Sequence, residues 1–206
     1  MTPPFGVILA GGLARRMGGG DKPLRRVAGR TLMARVMERL APQAPVMAIN
    51  ANGDPARLAA FGAPVIGDGV PGHAGPLAGV LAGMDWAAAG GATHILTVAG
   101  DTPFFPADLA LRLGAAVTAE APIALAATPD PRRGLSRHPT FGLWPVALRG
   151  DLRAALGEGV RKVVLWTDRH GAATVEFPAH PYDPFFNVNT PDDIAVAETI
   201  AAEHGL

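Results

Sequence analysis

Close to the N-terminus an apolar run, Phe5-Gly6-Val7-Ile8-Leu9-Ala10, stops abruptly at Gly11-Gly12 and passes into a loop that ends at Lys22. An apolar run closed by glycines reads as a buried strand feeding a tight turn. From Leu9 to Lys22 the sequence is LAGGLARRMGGGDK, with five glycines, two arginines and one lysine. Glycines let backbone N–H groups approach an anion with no Cβ in the way. Arg15, Arg16 and Lys22 can neutralise a polyphosphate. The chain has only two lysines, Lys22 and Lys162, against sixteen arginines, so a lysine closing this loop stands out. Gly-Lys-Ser/Thr is absent, so this is not a P-loop, and no G-x-G-x-x-G follows the first strand. A plain flexible surface loop is the alternative reading.

Downstream, strand-like and helix-like stretches alternate. Thr31 to Leu40 reads as a helix, with Leu32, Val36, Met37 and Leu40 on one face. Pro45 to Asn50 reads as a strand, Pro55 to Phe61 as a short helix, and Ala63 to Asp68 as a third strand. Pro76 to Ala89 is a helix opened by a first-turn proline. Thr93 to Gly100 is a buried strand ending at Asp101. Pro106 to Ala119 is a helix and Ile123 to Thr128 a strand. This order predicts an α/β fold, a three-layer sandwich with a mainly parallel sheet and helices on both faces. Asp130 to His138 reads as a polar, turn-rich segment, mobile when no ligand is held. Pro139 to Val146 can pair with Ile123 to Thr128 as a hairpin. Ala147 to Leu156 and Val160 to Asp168 look helical, and Thr174 to Phe177 reads as a strand. Thr190 is the expected N-cap of a final helix, Asp192 to His204, with Pro191 at its first position.

Composition limits the possibilities. A chain of 206 residues suits one domain, read here as 1–206 with a nucleotide-binding half of about 1–120 and a second half of about 121–206. Formal net charge is zero, so any anion site must be local and neither nucleic acid nor an anionic membrane is an expected partner. There are no cysteines, which excludes thiolate metal sites and a thiol nucleophile. No signal-peptide pattern or membrane-length apolar run appears, and a cytoplasmic protein is expected.

In such sheets ligands bind beyond the carboxyl ends of the strands. Gly11, Gly12, Asn50, Asp68 and Asp101 sit there. Asp101, in Gly100-Asp-Thr-Pro-Phe104, is the best candidate for a metal ligand. Mg²⁺ takes few carboxylates together with phosphate oxygens and water. The alternative is an aspartate that caps the helix starting near Pro106. Asp68 reads as a ribose or base contact, or as a turn residue. Gly75 and Gly79, in Gly-Pro-Leu-Ala-Gly, allow close approach of a flat ligand or tight helix packing. His138 alone reads as a solvated loop histidine. Trp86, Trp144 and Trp166 read as core or rim packing.

The ordered set LAGG-x-x-x-RM-GG-x-DK, Asn50-Ala-Asn52, Asp68, Gly75 to Gly79, Gly100 to Phe104, His138-Pro-Thr140 and Asn187-Val-Asn-Thr-Pro-Asp-Asp193 resembles the molybdenum cofactor guanylyltransferases over nearly the whole chain. The resemblance implies a nucleotide-diphospho-sugar-transferase-like (Rossmann-like) fold and a Mg²⁺-dependent reaction. GTP and molybdopterin-bound molybdenum cofactor would give the guanine dinucleotide cofactor and pyrophosphate. It implies a nucleotide site of Leu9, Ala10, Gly11, Gly12, Gly19, Lys22, Asn50, Asp68, Gly75, Gly79 and Asp101. Arg16, Lys22 and Asp101 would be catalytic, and Asp101 would hold the metal. His138, Thr140, Asn187 and Asn189 would lie toward the pterin. A molybdenum insertase or an apo-molybdoenzyme would be a transient partner. A cytidylyltransferase acting on the same pterin, a sugar-1-phosphate nucleotidyltransferase and a non-catalytic cofactor carrier are the rival readings. Gly11-Gly12 and the Gly75 to Gly79 motif favour guanine by family pattern.

Overall fold

The computed structural model describes residues 2–11, 22–70 and 75–206. Gly12, Arg15, Arg16 and Gly19, singled out above, lie outside the described residues.

The strands are β1 (Phe5–Leu9), β2 (Arg26–Val27), β3 (Arg30–Thr31), β4 (Met47–Asn50), β5 (Val65–Ile66), β6 (His94–Ala99), β7 (Ala124–Asp130), β8 (Gly134–Pro145) and β9 (Ala173–Glu176). The helices are α1 (Leu32–Leu40), α2 (Pro76–Ala89), α3 (Leu109–Ala116), α4 (Arg149–Gly157), α5 (Val163–Thr167) and α6 (Pro191–His204). Among the described residues, seven strands form one sheet in the order β5-β4-β1-β6-β8-β7-β9, and β2 pairs with β3 apart from it. β1, β4, β5 and β6 are parallel, β8 is antiparallel to both β6 and β7, and β9 is parallel to β7. β8 is therefore the one strand of this sheet that runs against the rest. The expected mainly parallel sheet is present.

Alternation along the strands splits the core. Ile8, Leu96, Val98, Ala124 and Leu143 join Met33, Val36 and Leu40 of α1 and Leu109 and Leu113 of α3. Val7, Ile95, Leu125 and Trp144 join Leu77, Val80, Leu81 and Met84 of α2, Leu152 of α4 and Trp166 of α5. Successive strand side chains point to opposite faces, so helices on both sides are needed to cover them. Each fully buried Leu, Ile or Phe contributes roughly 1.5–3 kcal/mol of transfer free energy. Trp144 and Trp166 are buried in this core, and Trp86 packs on Phe5 with ring centroids 5.2 Å apart. A third cluster, with Val27, Leu32, Phe104, Val188, Ala197 and Ala201, seats α6 against β2 and the chain following β6.

Several boundaries differ from the sequence reading. Helix α3 begins at Leu109 rather than at Pro106, and its Ala110 N–H is taken by Gln43 Oε1 at 2.9 Å, from a distant part of the chain. The turn between β7 and β8 is confined to 131–133. Asp130 Oδ1 accepts the N–H groups of Arg132 and Arg133, each at 2.8 Å, so the rest of the polar segment is paired as strand. Pro55–Phe61 is helical but of the tighter 3-10 type, and α5 covers only the middle of Val160 to Asp168. The β2–β3 pair was not foreseen. No helix among the described residues is long and apolar enough to cross a membrane.

Candidate active site

The carboxyl ends of β1, β4, β5 and β6 open on one cleft of about 340 Å³. Leu9, Gly11, Asn50, Asp68, Gly75, Asp101, Thr140 and Asn187, all read from the sequence as site residues, line it. Among the described residues, Asn52, Pro76 and Ala99 also line it. Parallel strands place their outgoing loops on a single side of the sheet, which is why residues far apart in sequence meet here.

Asp101 stands one residue past Gly100, whose N–H bonds to Leu9 O at 3.0 Å. Its Oδ2 accepts from Lys22 Nζ at 2.5 Å, and the same Nζ donates to Asn189 Oδ1 at 2.5 Å. The Lys22 and Asp101 side chains are 15% and 26% exposed, so the pair is shielded from salt better than a surface pair. Asp101 therefore does not cap the helix that follows it. Its other oxygen, Oδ1, lies 3.1 Å from Thr102 Oγ1, which also contacts Asn187 Oδ1. Val188 N–H donates to Asp101 O at 2.9 Å. The Asn187–Asn189 segment is thereby tied to the end of β6 by both backbone and side chains.

The start of α6 fixes the other end of that segment. Thr190 Oγ1 accepts from Asp193 N–H at 3.2 Å, while Asp193 Oδ2 accepts from the N–H groups of Thr190 (2.8 Å) and Asn189 (2.7 Å). This is a capping box that extends one residue toward the site. The Asn189 N–H holds the Asp193 carboxyl below the ordinary carboxylate range, with help from Thr190 and from the Lys22 charge and against the effect of burial.

On the other flank, Asn50 is buried and donates from Nδ2 to Ile66 O at 3.1 Å and to Asp68 Oδ1 at 3.0 Å. Asn52 Nδ2 donates to Asp68 Oδ2 at 2.8 Å, and Asn52 Oδ1 accepts from Asp68 N–H at 2.9 Å. Gly75 precedes α2 with φ 73 and ψ −163, a conformation essentially confined to glycine. Gly79 is buried rather than in the cleft. A Cβ there would lie 2.3 Å from Asn50 Oδ1 and 2.8 Å from Leu9 Cδ2. Close helix packing accounts for this glycine, and it acts on the cleft through Asn50. Ala10 connects to β4 through its N–H, bonded to Asn50 O at 2.9 Å.

Thr140 reaches the cleft through a break in pairing. Leu125 pairs with Gly142 but Ala126 pairs with His138, which leaves Pro139–Phe141 as a bulge in β8. Pro139 has no N–H to give to a ladder, and bulges commonly re-aim side chains beside active sites. His138 is turned elsewhere. Its ring stacks on Phe185 with centroids 4.3 Å apart, and its Nε2 lies 2.9 Å from Thr128 Oγ1. Burial pushes its pKa below the ordinary 6.5, while nearby Asp183 opposes the shift.

Among the described residues, no cluster of three or more His, Asp or Glu converges in a way that could hold a metal. With Asp68 engaged by Asn50 and Asn52, Asp101 is left as a single carboxylate for an ion, which suits one that takes most of its ligands from phosphate and water, as Mg²⁺ does. The residues present therefore fit Mg²⁺ brought in with a polyphosphate, and do not fit a resident ion held by the protein alone. Asn52 and Thr102 are among the site residues that the sequence reading did not assign. Asn52 belongs to the Asn50-Ala-Asn52 motif and Thr102 follows Asp101, but their distant partners, Asp68 and Asn187, are brought to them only by the fold.

The MobA-like NTP transferase domain family matches residues 6–172. The chain belongs to that family. A molybdenum cofactor guanylyltransferase from Bradyrhizobium sp. (strain ORS 278) is 57% identical over 201 residues, spanning 96% of this chain and 92% of its own length. A protein of the same name from Rhodopseudomonas palustris (strain BisB5) is 57% identical over 199 residues, 95% and 92% of the two chains. The crystal structure of molybdopterin-guanine dinucleotide biosynthesis protein A from Archaeoglobus fulgidus superposes with a TM-score of 0.69 at 23% identity, covering 96% and 98% of the two chains. At that identity the superposition speaks for the fold alone. The NTP transferase family and the strand-end cleft agree, and the chain is a nucleotidyltransferase.

Proposed function

We propose that this enzyme transfers GMP from GTP to the terminal phosphate of molybdopterin-bound molybdenum cofactor, giving the guanine dinucleotide cofactor and pyrophosphate. The observation that carries the reading is that Lys22 joins Asp101, a residue of the cleft lining, to Asn189, in a chain 57% identical to proteins named for that reaction. The acceptor phosphate is already an anion, so it needs no strong general base. Its oxygen attacks the α-phosphorus of GTP in line. The bond from that phosphorus to the α–β bridging oxygen breaks, and pyrophosphate leaves with the oxygen. Catalysis is then mainly positioning and charge neutralisation.

Lys22 neutralises the phosphate chain and the leaving pyrophosphate, and Arg16 serves the same purpose in this reading. Asp101 holds Mg²⁺, which when bound neutralises and polarises phosphate oxygens. Asn187, Asn189 and Thr140 orient the acceptor, and His138 supports that side through its stack on Phe185. Asp68 faces the guanine edge. A carboxylate only accepts, and guanine offers two donors side by side, N1–H and the 2-amino group, where cytosine, adenine and uracil do not.

Calorimetric titration with GTP, CTP, ATP and UTP in the presence of Mg²⁺ tests the reading. A GTP preference that weakens in Lys22→Ala supports it. A CTP preference would retain the chemistry and reassign the base, and no binding by any of the four would remove the enzyme reading of this cleft.

A further inference from the structure

We propose that Asn52 is the positioning residue that makes Asp68 selective for guanine, an inference that rests on the GTP reading above. A carboxylate on a free side chain rotates and presents its oxygens in many directions. At Asp68 that freedom is removed from both ends. Asn50 Nδ2 holds Oδ1 at 3.0 Å and Asn52 Nδ2 holds Oδ2 at 2.8 Å. Asn52 Oδ1 also takes the backbone N–H of Asp68 at 2.9 Å, so one amide grips main chain and side chain together in a closed ring. The grip is itself anchored. Arg57 donates to Asn52 O at 2.9 Å, and Ala51 N–H donates to Ile66 O at 3.0 Å, which ties β4 to β5 beside it. Each carboxylate oxygen keeps a lone pair beyond the amide it accepts from. Both Asn52 and Asp68 line the cleft. Two fixed acceptors side by side match the two adjacent donors of guanine, and a rotating carboxylate would lose that match.

The same contacts could serve only to tie the loop after β4 to the end of β5. A tie of that kind would weaken every purine nucleotide equally when cut. Selectivity separates the two roles, and inosine triphosphate, which is GTP without the 2-amino group, is the probe. Calorimetry on the full chain with Mg²⁺ would compare GTP and inosine triphosphate in the native protein, Asn52→Ala, Asn52→Asp and Asp68→Ala. A site built to hydrogen-bond a group discriminates strongly against a ligand lacking it. The expected native preference is about tenfold or more for GTP, since each hydrogen bond to a charged acceptor is worth roughly that much. Asn52→Ala should lower GTP affinity by about tenfold and inosine triphosphate affinity much less, so that the preference collapses toward that of Asp68→Ala. Asn52→Asp keeps the acceptor but sets a second carboxylate against Asp68, and should collapse the preference at least as far.

An unchanged ratio in both Asn52 variants, with Asp68→Ala collapsed, overturns the role of Asn52 and leaves the GTP reading standing. A native protein with no preference for GTP over CTP brings down both. Asn52 is exposed, so a folded Ala variant is expected. Should it prove unstable, the Asp variant, closest in shape, gives the same ratio.

Discussion

Asp101 receives a lysine on one oxygen and a threonine on the other, and in the proposed reaction Lys22 and Asp101 set the rate. Removing one preorganised contact to developing charge costs about 2.7–4 kcal/mol in the transition state. Lys22→Ala and Asp101→Asn should therefore each reduce turnover about a hundredfold or more, measured as pyrophosphate release with circular dichroism unchanged. Near-native rates in both would remove the site from the chemistry. Gly79→Ala probes the site from behind. The new methyl would meet Asn50 Oδ1 at 2.3 Å, and overpacking of a closed core costs about 1–3 kcal/mol. Stability by urea titration and affinity for GTP should fall together, because Asn50 cannot move without releasing Asp68; a loss of stability alone would show the two to be uncoupled. At this scale the sequence was legible where chemistry and position coincide. A lone lysine closing a glycine loop and an aspartate ending a buried strand needed no coordinates to be noticed. Asn52, Thr102 and Gln43 were silent because their partners are set by strand order and helix docking, which lie many residues away.

Helix α6 and the segment before it work as one element. Asp193 accepts from Asn189 and Thr190, and Val188 bonds to the chain at Asp101. Thr190 is the N-cap and Asp193, at the third helical position, is the other half of its box, and losing a cap of this kind costs about 0.5–2 kcal/mol. Asp193→Ala should destabilise the protein by about that much and also raise KM for the acceptor several-fold, because Asn189 loses its backbone anchor. Steady-state kinetics would read this, and a stability loss with KM unchanged would limit the box to a structural role. The parallel strands were plain in the sequence because strands buried on both faces are continuous apolar runs. The β2–β3 pair was not, since Arg26, Val27, Arg30 and Thr31 carry no alternation long enough to register. The first part of β8 was hidden for a related reason. Its side chains are polar and half exposed, so its strand character rests on backbone pairing with β7, which composition does not report.

The whole molecule carries an acid limit. Burial lowers the pKa of both His138 and His94 from the ordinary 6.5. A histidine lowered in the folded state takes up its proton more readily when unfolded, so its contribution is fully present above about pH 6.5 and is lost as pH falls through the folded-state value. Stability should decline with acid in that range, and His138→Phe, which keeps a ring against Phe185, should flatten part of the decline in urea titrations run from pH 7.5 to 5. An identical pH slope in the variant would assign the effect elsewhere. The sheet order has a further consequence, in the timing of synthesis. A chain leaves the ribosome N-terminus first. β1, β4, β5 and β6 can pair as soon as they emerge, but β8, the strand that covers β6, is made some forty residues later. Until it arrives, a nascent chain presents the open backbone edge of its most buried strand, the kind of edge on which chains aggregate. Whatever slows translation between Ala99 and Gly134 lengthens that exposure, so the yield of folded enzyme in a cell should respond to codon choice there more than in the segment before Leu9.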